Sequence, residues 1–272
     1  MKLTLASAGS VREFDATHPI DISIPLRFNG PQPNAFGVEQ AASQPCEYGS
    51  LIGDTRRGGS CNFELYTFIP HCNGTHTECI GHITKERISV RDCLQDAFLR
   101  AWLVSVPPTS SGKTEEQYPV NKAKDDMLIT RTALTVAMDD NPTGFNALIV
   151  RTLPNEDGKL IQSYQGTNVP PYFTTEAMEF IVKSGVSHLL VDLPSIDRLY
   201  DEGRLSNHRI FWNVELGSFE KDRSSRIAST ITELIYVPDE VEDGEYLLNL
   251  QIAPFEADCS PSRPLLFGIP NS

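Results

Sequence analysis

No stretch of this 272-residue chain stays apolar for the roughly 18 residues a membrane-spanning helix requires, so a helical membrane protein is not expected. The start, Met1-Lys2-Leu3-Thr4-Leu5-Ala6-Ser7, lacks the sustained apolar core of a secretory signal, and a cytoplasmic protein is expected. Basic residues are in short supply: 23 Lys and Arg face 36 Asp and Glu, for a formal net charge of −13. Such a surface repels a phosphate backbone, which argues against nucleic acid as a partner. The six cysteines (Cys46, Cys61, Cys72, Cys79, Cys93 and Cys259) show no C-x-x-C spacing. In a chain this long that pattern predicts free thiols rather than a disulfide framework. There is no H-E-x-x-H, no G-x-S-x-G elbow and no glycine-rich phosphate loop. Ser195 therefore has no triad around it, and Asp192 and Asp197 read as residues that hold a tight turn. No repeat or low-complexity segment interrupts the chain.

Histidine is scarce as well, six in the whole chain, yet three fall within twelve residues: His71-Cys72-Asn73-Gly74-Thr75-His76-Thr77-Glu78-Cys79-Ile80-Gly81-His82. Imidazole, thiolate and carboxylate together form the ligand set of a transition metal such as zinc. On a strand, positions i and i+2 face the same way, so His76 and Glu78 can converge on one point. Cys72 can join them through the bend that Gly74 permits, while His71 points the opposite way on an extended chain. His82, four residues beyond Glu78, suits a second layer or a base beside the metal. Among distant candidates, His208 is one of three His outside the cluster, and Glu233 is a carboxylate within an otherwise apolar strand. His18 and His188 read as surface or internally satisfied residues. A divalent cation at such a cluster lowers the pKa of its water from ~15.7 to about 7 and so supplies a nucleophile at neutral pH. A nearby His can then carry the proton.

The rest of the chain predicts a mixed, strand-rich α/β fold in a single domain. Strands are expected over 19–26, 62–69, 97–106, 147–152, 188–193, 231–237 and 246–253, the last two joined through a turn near Asp243-Gly244. A helix is expected from an N-cap at Thr174 to a stop at Gly185, with Ala177, Phe180 and Ile181 on its apolar stripe. Strand, helix, strand in that order implies a βαβ unit with a parallel pair. The Pro-, Gly-, Asn- and Gln-rich segment from Phe28 to Gly59 reads as a lid or binding loop whose inner face Phe28, Phe36 and Tyr48 could line.

The cluster also resembles the pattern H-x-G-T-H-x-D-x-P-x-H of cyclase-family metal hydrolases, which include bacterial kynurenine formamidase and isatin hydrolase. In that register the chain reads Cys72-Asn73-Gly74-Thr75-His76-Thr77-Glu78-Cys79-Ile80-Gly81-His82. Val191–Asp197, Ser206-Asn207-His208, Glu233-Leu234-Ile235 and Ala257–Pro264 are similar to later segments of the family, in the same order, so that the matches span most of residues 19–268. The resemblance implies a swivelling β/β/α fold, a homodimer or homotetramer with its active site near a subunit interface, and hydrolysis of a small amide, cyclic imide or lactone by metal-activated water. It implies metal ligands at Cys72, His76, Glu78, His208 and Glu233, and a catalytic acid/base at His82. Cys72 stands where the family has its first ligand His, and Glu78 where it has Asp. Zinc is favoured if Cys72 ligates, and manganese competes if it does not. The altered ligands leave one further reading, a catalytically silent binding protein that keeps the fold.

Overall fold

The computed structural model describes residues 2–7, 10–120, 122–138 and 143–269. Strands drawn from residue 20 to residue 267 enter one nine-stranded sheet. Across the sheet they run Cys259–Pro261, His76–Cys79, Thr230–Glu233, His188–Val191, Ala147–Thr152, Phe98–Val106, Gly244–Asn249, Leu265–Phe267 and Ile20–Asp21. The four from Thr230–Glu233 to Phe98–Val106 are mutually parallel, and the flanking pairs are antiparallel.

The parallel strands are apolar because both faces are covered. All six residues of Ala147–Thr152 are buried. After the short helical turns Pro70–Asn73 (α1) and Val90–Cys93 (α2) come the helices Arg131–Ala137 (α3), Thr175–Lys183 (α4) and Ser206–Trp212 (α5), and Leu148 and Val150 meet a core built with these three, where Leu134, Met178, Ile181, Phe211 and Trp212 pack. Ala147 and Ile149 point the other way, toward Ile22, Leu103, Ile235 and Leu266. The expected βαβ unit is present: Ala147–Thr152 and His188–Val191 pair in parallel, with α4 between them in the chain. Thr174 caps α4, its hydroxyl accepting from the Ala177 amide, and Gly185 follows in the left-handed region at φ +82°. Ala177 and Ile181 are buried, joined by Met178, and Phe180 is only half-buried.

Several expectations differ from the structure. Thr230–Glu233 and Gly244–Asn249 do not form a hairpin, because three parallel strands separate them. The strand expected over 19–26 is ordered as strand only at Ile20–Asp21, with an isolated bridge at Ser23 to Ile235. The segment 62–69 contributes Glu64–Thr67, which pairs with Ala42–Pro45 outside the main sheet and is exposed along its whole length. Within the 28–59 segment Phe28 packs on Tyr66, ring centroids 4.6 Å apart, but Phe36 and Tyr48 face solvent. All six cysteines are unpaired, and His188 is internally satisfied by Thr230 Oγ1 at 2.9 Å.

Candidate metal centre

Three neighbouring strands at the Cys259 edge of the sheet supply a cluster of ligating side chains. Cross-strand partners share a face, and the register sets His76 opposite Glu233 and Pro261, and Glu78 opposite Ile231 and Cys259. Thr77 points through to the other face, where its hydroxyl meets that of Thr232 at 2.8 Å. So His76, Glu78, Glu233 and Cys259 project together, as the two-residue period of a strand requires. His208 comes from α5 on that side of the sheet, its Nε2 2.9 Å from Glu78 Oε1 and 3.7 Å from Glu233 Oε1. The backbone turns sharply beside two of these groups: Leu234, just after Glu233, and Leu205, just before α5, both hold positive φ (54° and 48°). A left-handed leucine is costly, and the surroundings hold it there: the Thr75 hydroxyl donates to the Leu234 carbonyl, and the Leu234 amide donates to Leu193 O at 3.0 Å.

Four overlapping groups place their ligand atoms within 4.8 Å of one another: His76, Glu78 and Glu233; Glu78, His82 and His208; His71, His76 and Cys259; and His71, His82 and Asp258. Of the sequence-derived candidates, His76, Glu78, His208, Glu233 and His82 are brought together. Cys72 stands in none of these groups, whereas His71 stands in two. The reason is local. Residues Pro70–Asn73 form a helical turn (α1), not extended chain, so the alternation that set His71 aside does not operate there. His71 Nδ1 lies 3.2 Å from Glu78 Oε2, and its Nε2 lies 3.0 Å from Asp258 Oδ2. Gly74 is extended at φ −179°, which any residue adopts; the glycine the cluster needs is Gly81, where a Cβ would run into the Ile88 carbonyl.

Cys259, Asp258 and Asp197 are site residues that the sequence reading did not single out as such. Asp197 does more than hold a turn. Its Oδ2 accepts from His208 Nδ1 at 2.6 Å, its two oxygens take the amides of Asn207 and His208, and the Tyr118 hydroxyl donates to Oδ1 at 2.7 Å. The only signal for these residues was the order of short motifs that contain them.

The donor atoms and charges of the cluster suit a cation. His76 Nδ1 faces the Gly74 carbonyl at 3.0 Å; a carbonyl only accepts, so Nδ1 carries a proton and Nε2 is the nitrogen left to face the cluster. That Nε2 is buried without a hydrogen bond, with Glu233 Oε2 3.5 Å away. Glu78 Oε2 is also buried without a well-aligned hydrogen bond and has only the charge approaches of His71 at 3.2 Å and His82 at 3.8 Å. Buried polar atoms left unpaired are costly, and two aimed into one space fit a cation between them. Burial pushes the Glu78 carboxyl up, but the imidazoles of His82 and His208 outweigh it and hold it well below the usual carboxylate range. Burial depresses His208 and His71, yet Glu78 and Asp197 raise the first, and Asp258, Cys259 and Glu78 raise the second. Hydrogen bonds from His71 and then His82 lower Asp258. Burial pushes the Cys72 thiol up, which disfavours the thiolate a metal needs. Ionised carboxylates held this close together are the surroundings a divalent cation takes.

Comparison with known proteins points the same way. A model of the cyclase family matches residues 14–198. A kynurenine formamidase of Bacillus cytotoxicus is 28% identical over 127 residues, covering 46% of this chain and 51% of that protein, so the match extends over about half the length of this curated relative. Isatin hydrolase A from Labrenzia aggregata, bound to benzyl benzoate, superposes with a TM-score of 0.62 at 14% identity, over 93% of this chain and 94% of that one. A protein from Bacillus stearothermophilus described as a predicted metal-dependent hydrolase superposes with a TM-score of 0.56 at 13% identity, over 92% of this chain and 98% of that one. At these identities the solved structures share the fold.

Proposed function

Because this chain belongs to the cyclase family, we propose that it is a metal-dependent hydrolase that cleaves a C–N amide, a cyclic imide or a lactone of a small molecule. The observation that carries this reading is the pair of unpaired buried atoms, His76 Nε2 and Glu78 Oε2, converging where Glu233 and His208 also reach. His76, Glu78, Glu233 and His208 would hold the ion, with His71 rather than Cys72 beside them and Cys259 within reach. A set of imidazole, carboxylate and thiol favours zinc, with manganese the competitor if the thiol stays aside. When bound, the cation supplies the Lewis acidity that polarises a carbonyl and makes water acidic enough to attack at neutral pH.

The chain's own residues do the rest. Asp197 fixes the His208 tautomer through Nδ1. His82 is partly open to solvent and sits with Nδ1 3.4 Å from Asp258 Oδ2 and 3.8 Å from Glu78 Oε2. From there it can take a proton from the attacking water and deliver it to the leaving nitrogen or oxygen. Two broader proposals accompany this reading. The exposed apolar residues Leu65, Tyr66 and Ile69, on and just after the strand that leads into the cluster, support a homodimer or homotetramer. The unpaired cysteines fit a reducing compartment such as the cytoplasm; no helix among the described residues is long and apolar enough to cross a membrane.

Elemental analysis of protein purified without added metal tests the core of the proposal. A divalent metal in stoichiometric amount is expected, and its removal by chelation should abolish hydrolysis. Protein that carries no metal and binds none on titration would show a fold kept without its chemistry.

A further inference from the structure

Most of the cluster is sealed. His76, Glu78, His208 and Glu233 are buried, and only His71, His82 and Asp258 retain appreciable side-chain exposure, at 27%, 27% and 38%. Access to the centre therefore runs past these three. Asp258 also forms part of the wall of a polar cavity of about 330 Å³, bounded on one side by the segment from Gly81 to Ser89 and on the other by Glu256 and Ala257. That volume is at the small end for ligand sites.

The charges around this cavity are paired, with one exception. Glu256 is met by Arg91 at 3.4 Å, and Asp258 by His71 and His82. Lys85 reaches Glu220 at 3.6 Å, and Lys221 reaches Glu86 at 3.1 Å, while the Lys85 amide donates to Phe219 O at 2.9 Å. These contacts dock the 219–221 segment against the mouth. Arg87 lines the cavity too, and among the described residues it has no ion pair and no side-chain hydrogen bond. In a chain of formal charge −13, an uncompensated guanidinium beside the entrance to a nest of carboxylates stands out, because a guanidinium offers a planar fork that matches a carboxylate.

We propose that this cavity receives the substrate and that Arg87 binds a carboxylate on it, so that the substrate class is a small carboxylic acid carrying the scissile acyl group. The inference rests on the hydrolase reading for its location, but carboxylate selection by Arg87 is tested by binding alone. Levulinate and 2-hexanone carry the same ketone, neither has a bond that an amide or ester hydrolase cleaves, and only levulinate is charged. Titration calorimetry of both into the wild-type protein as purified should show levulinate bound at least about tenfold more tightly, the scale of one charge-assisted contact. Arg87→Gln should weaken levulinate about tenfold and leave 2-hexanone unchanged, and Arg87→Lys should restore part of the preference. Arg87 is exposed, so the substitutions should fold, and matching circular dichroism would verify it. Equal affinity for the two probes in the wild type, detectable binding of neither, or a preference that survives Arg87→Gln would overturn the proposal. A metal-containing protein with any of those outcomes loses this pocket and keeps the hydrolase reading, whereas a metal-free protein that still discriminates through Arg87 does the reverse.

Discussion

Glu78 is the residue on which the site turns. One carboxylate oxygen meets His208, and the other points at His71 and the space next to His76. Its pairing with His76 was legible, because i and i+2 on a strand face together whatever the rest of the chain does. Glu233 was legible too, as a carboxylate among Ile231, Leu234 and Ile235 that proved to be buried. The choice between His71 and Cys72 was not, since a single helical turn over Pro70–Asn73 rotates neighbouring side chains by about 100° rather than 180°. At this scale two substitutions separate proton transfer from metal holding. His82→Ala should lower kcat by about 100-fold or more while metal content stays stoichiometric; unchanged turnover would remove His82 from the mechanism. Asp197→Asn weakens the partner that orients His208, and metal affinity should fall about 10- to 100-fold in competition with a chelator. Unaltered affinity would show that His208 needs no such partner, or does not ligate.

The strands Cys259–Pro261, His76–Cys79 and Thr230–Glu233 form the floor of the site, and their neighbour His188–Val191 joins them to the parallel core. That neighbour also carries an acid-sensitive point remote from the ligands. Burial pushes His188 down from its ordinary 6.5 to about 4. The unfolded chain therefore binds the proton first, and as pH falls from about 6.5 toward 4 the folded state loses stability, by up to about 3 kcal/mol once both values are passed. Denaturant titrations at pH 7.5 and pH 5 should show a loss about 2 kcal/mol smaller in His188→Gln than in the wild type, as 1.5 pH units of that window are crossed. Equal losses would mean that His188 does not contribute to acid sensitivity.

For the molecule as a whole, the clearest unexplained surface is the arm that precedes the site. Leu65 and Tyr66 lie in a strand and are about half exposed (53% and 52%), although they are apolar. If a second copy covers this arm, Leu65→Lys should reduce the mass measured by sedimentation equilibrium at micromolar concentration, with secondary structure intact. A monomeric wild type would contradict the oligomer proposal directly. Coupling between that arm and the site would follow from position alone, since Glu64–Thr67 leads within three residues into α1 and His71.

What the sequence determined by itself was what local periodicity and short-range chemistry encode. It specified the buried strand at 147–152, the Thr174 cap and its helix, the parallel pair around them, and the same-face approach of His76 and Glu78. It marked Glu233 as a carboxylate in an apolar strand, and the fold buried it. Only the tertiary structure decided which long-range partners complete the cluster. Asp197 reaches His208 across a turn and a helix, Cys259 begins a strand some 180 residues after His76 with Asp258 just before it, and His71 enters because a turn of helix redirects it. Such contacts depend on sheet order and register. No spacing in the chain reports them, because the energy that sets the order comes from burying both faces of the sheet, not from the side chains of the site.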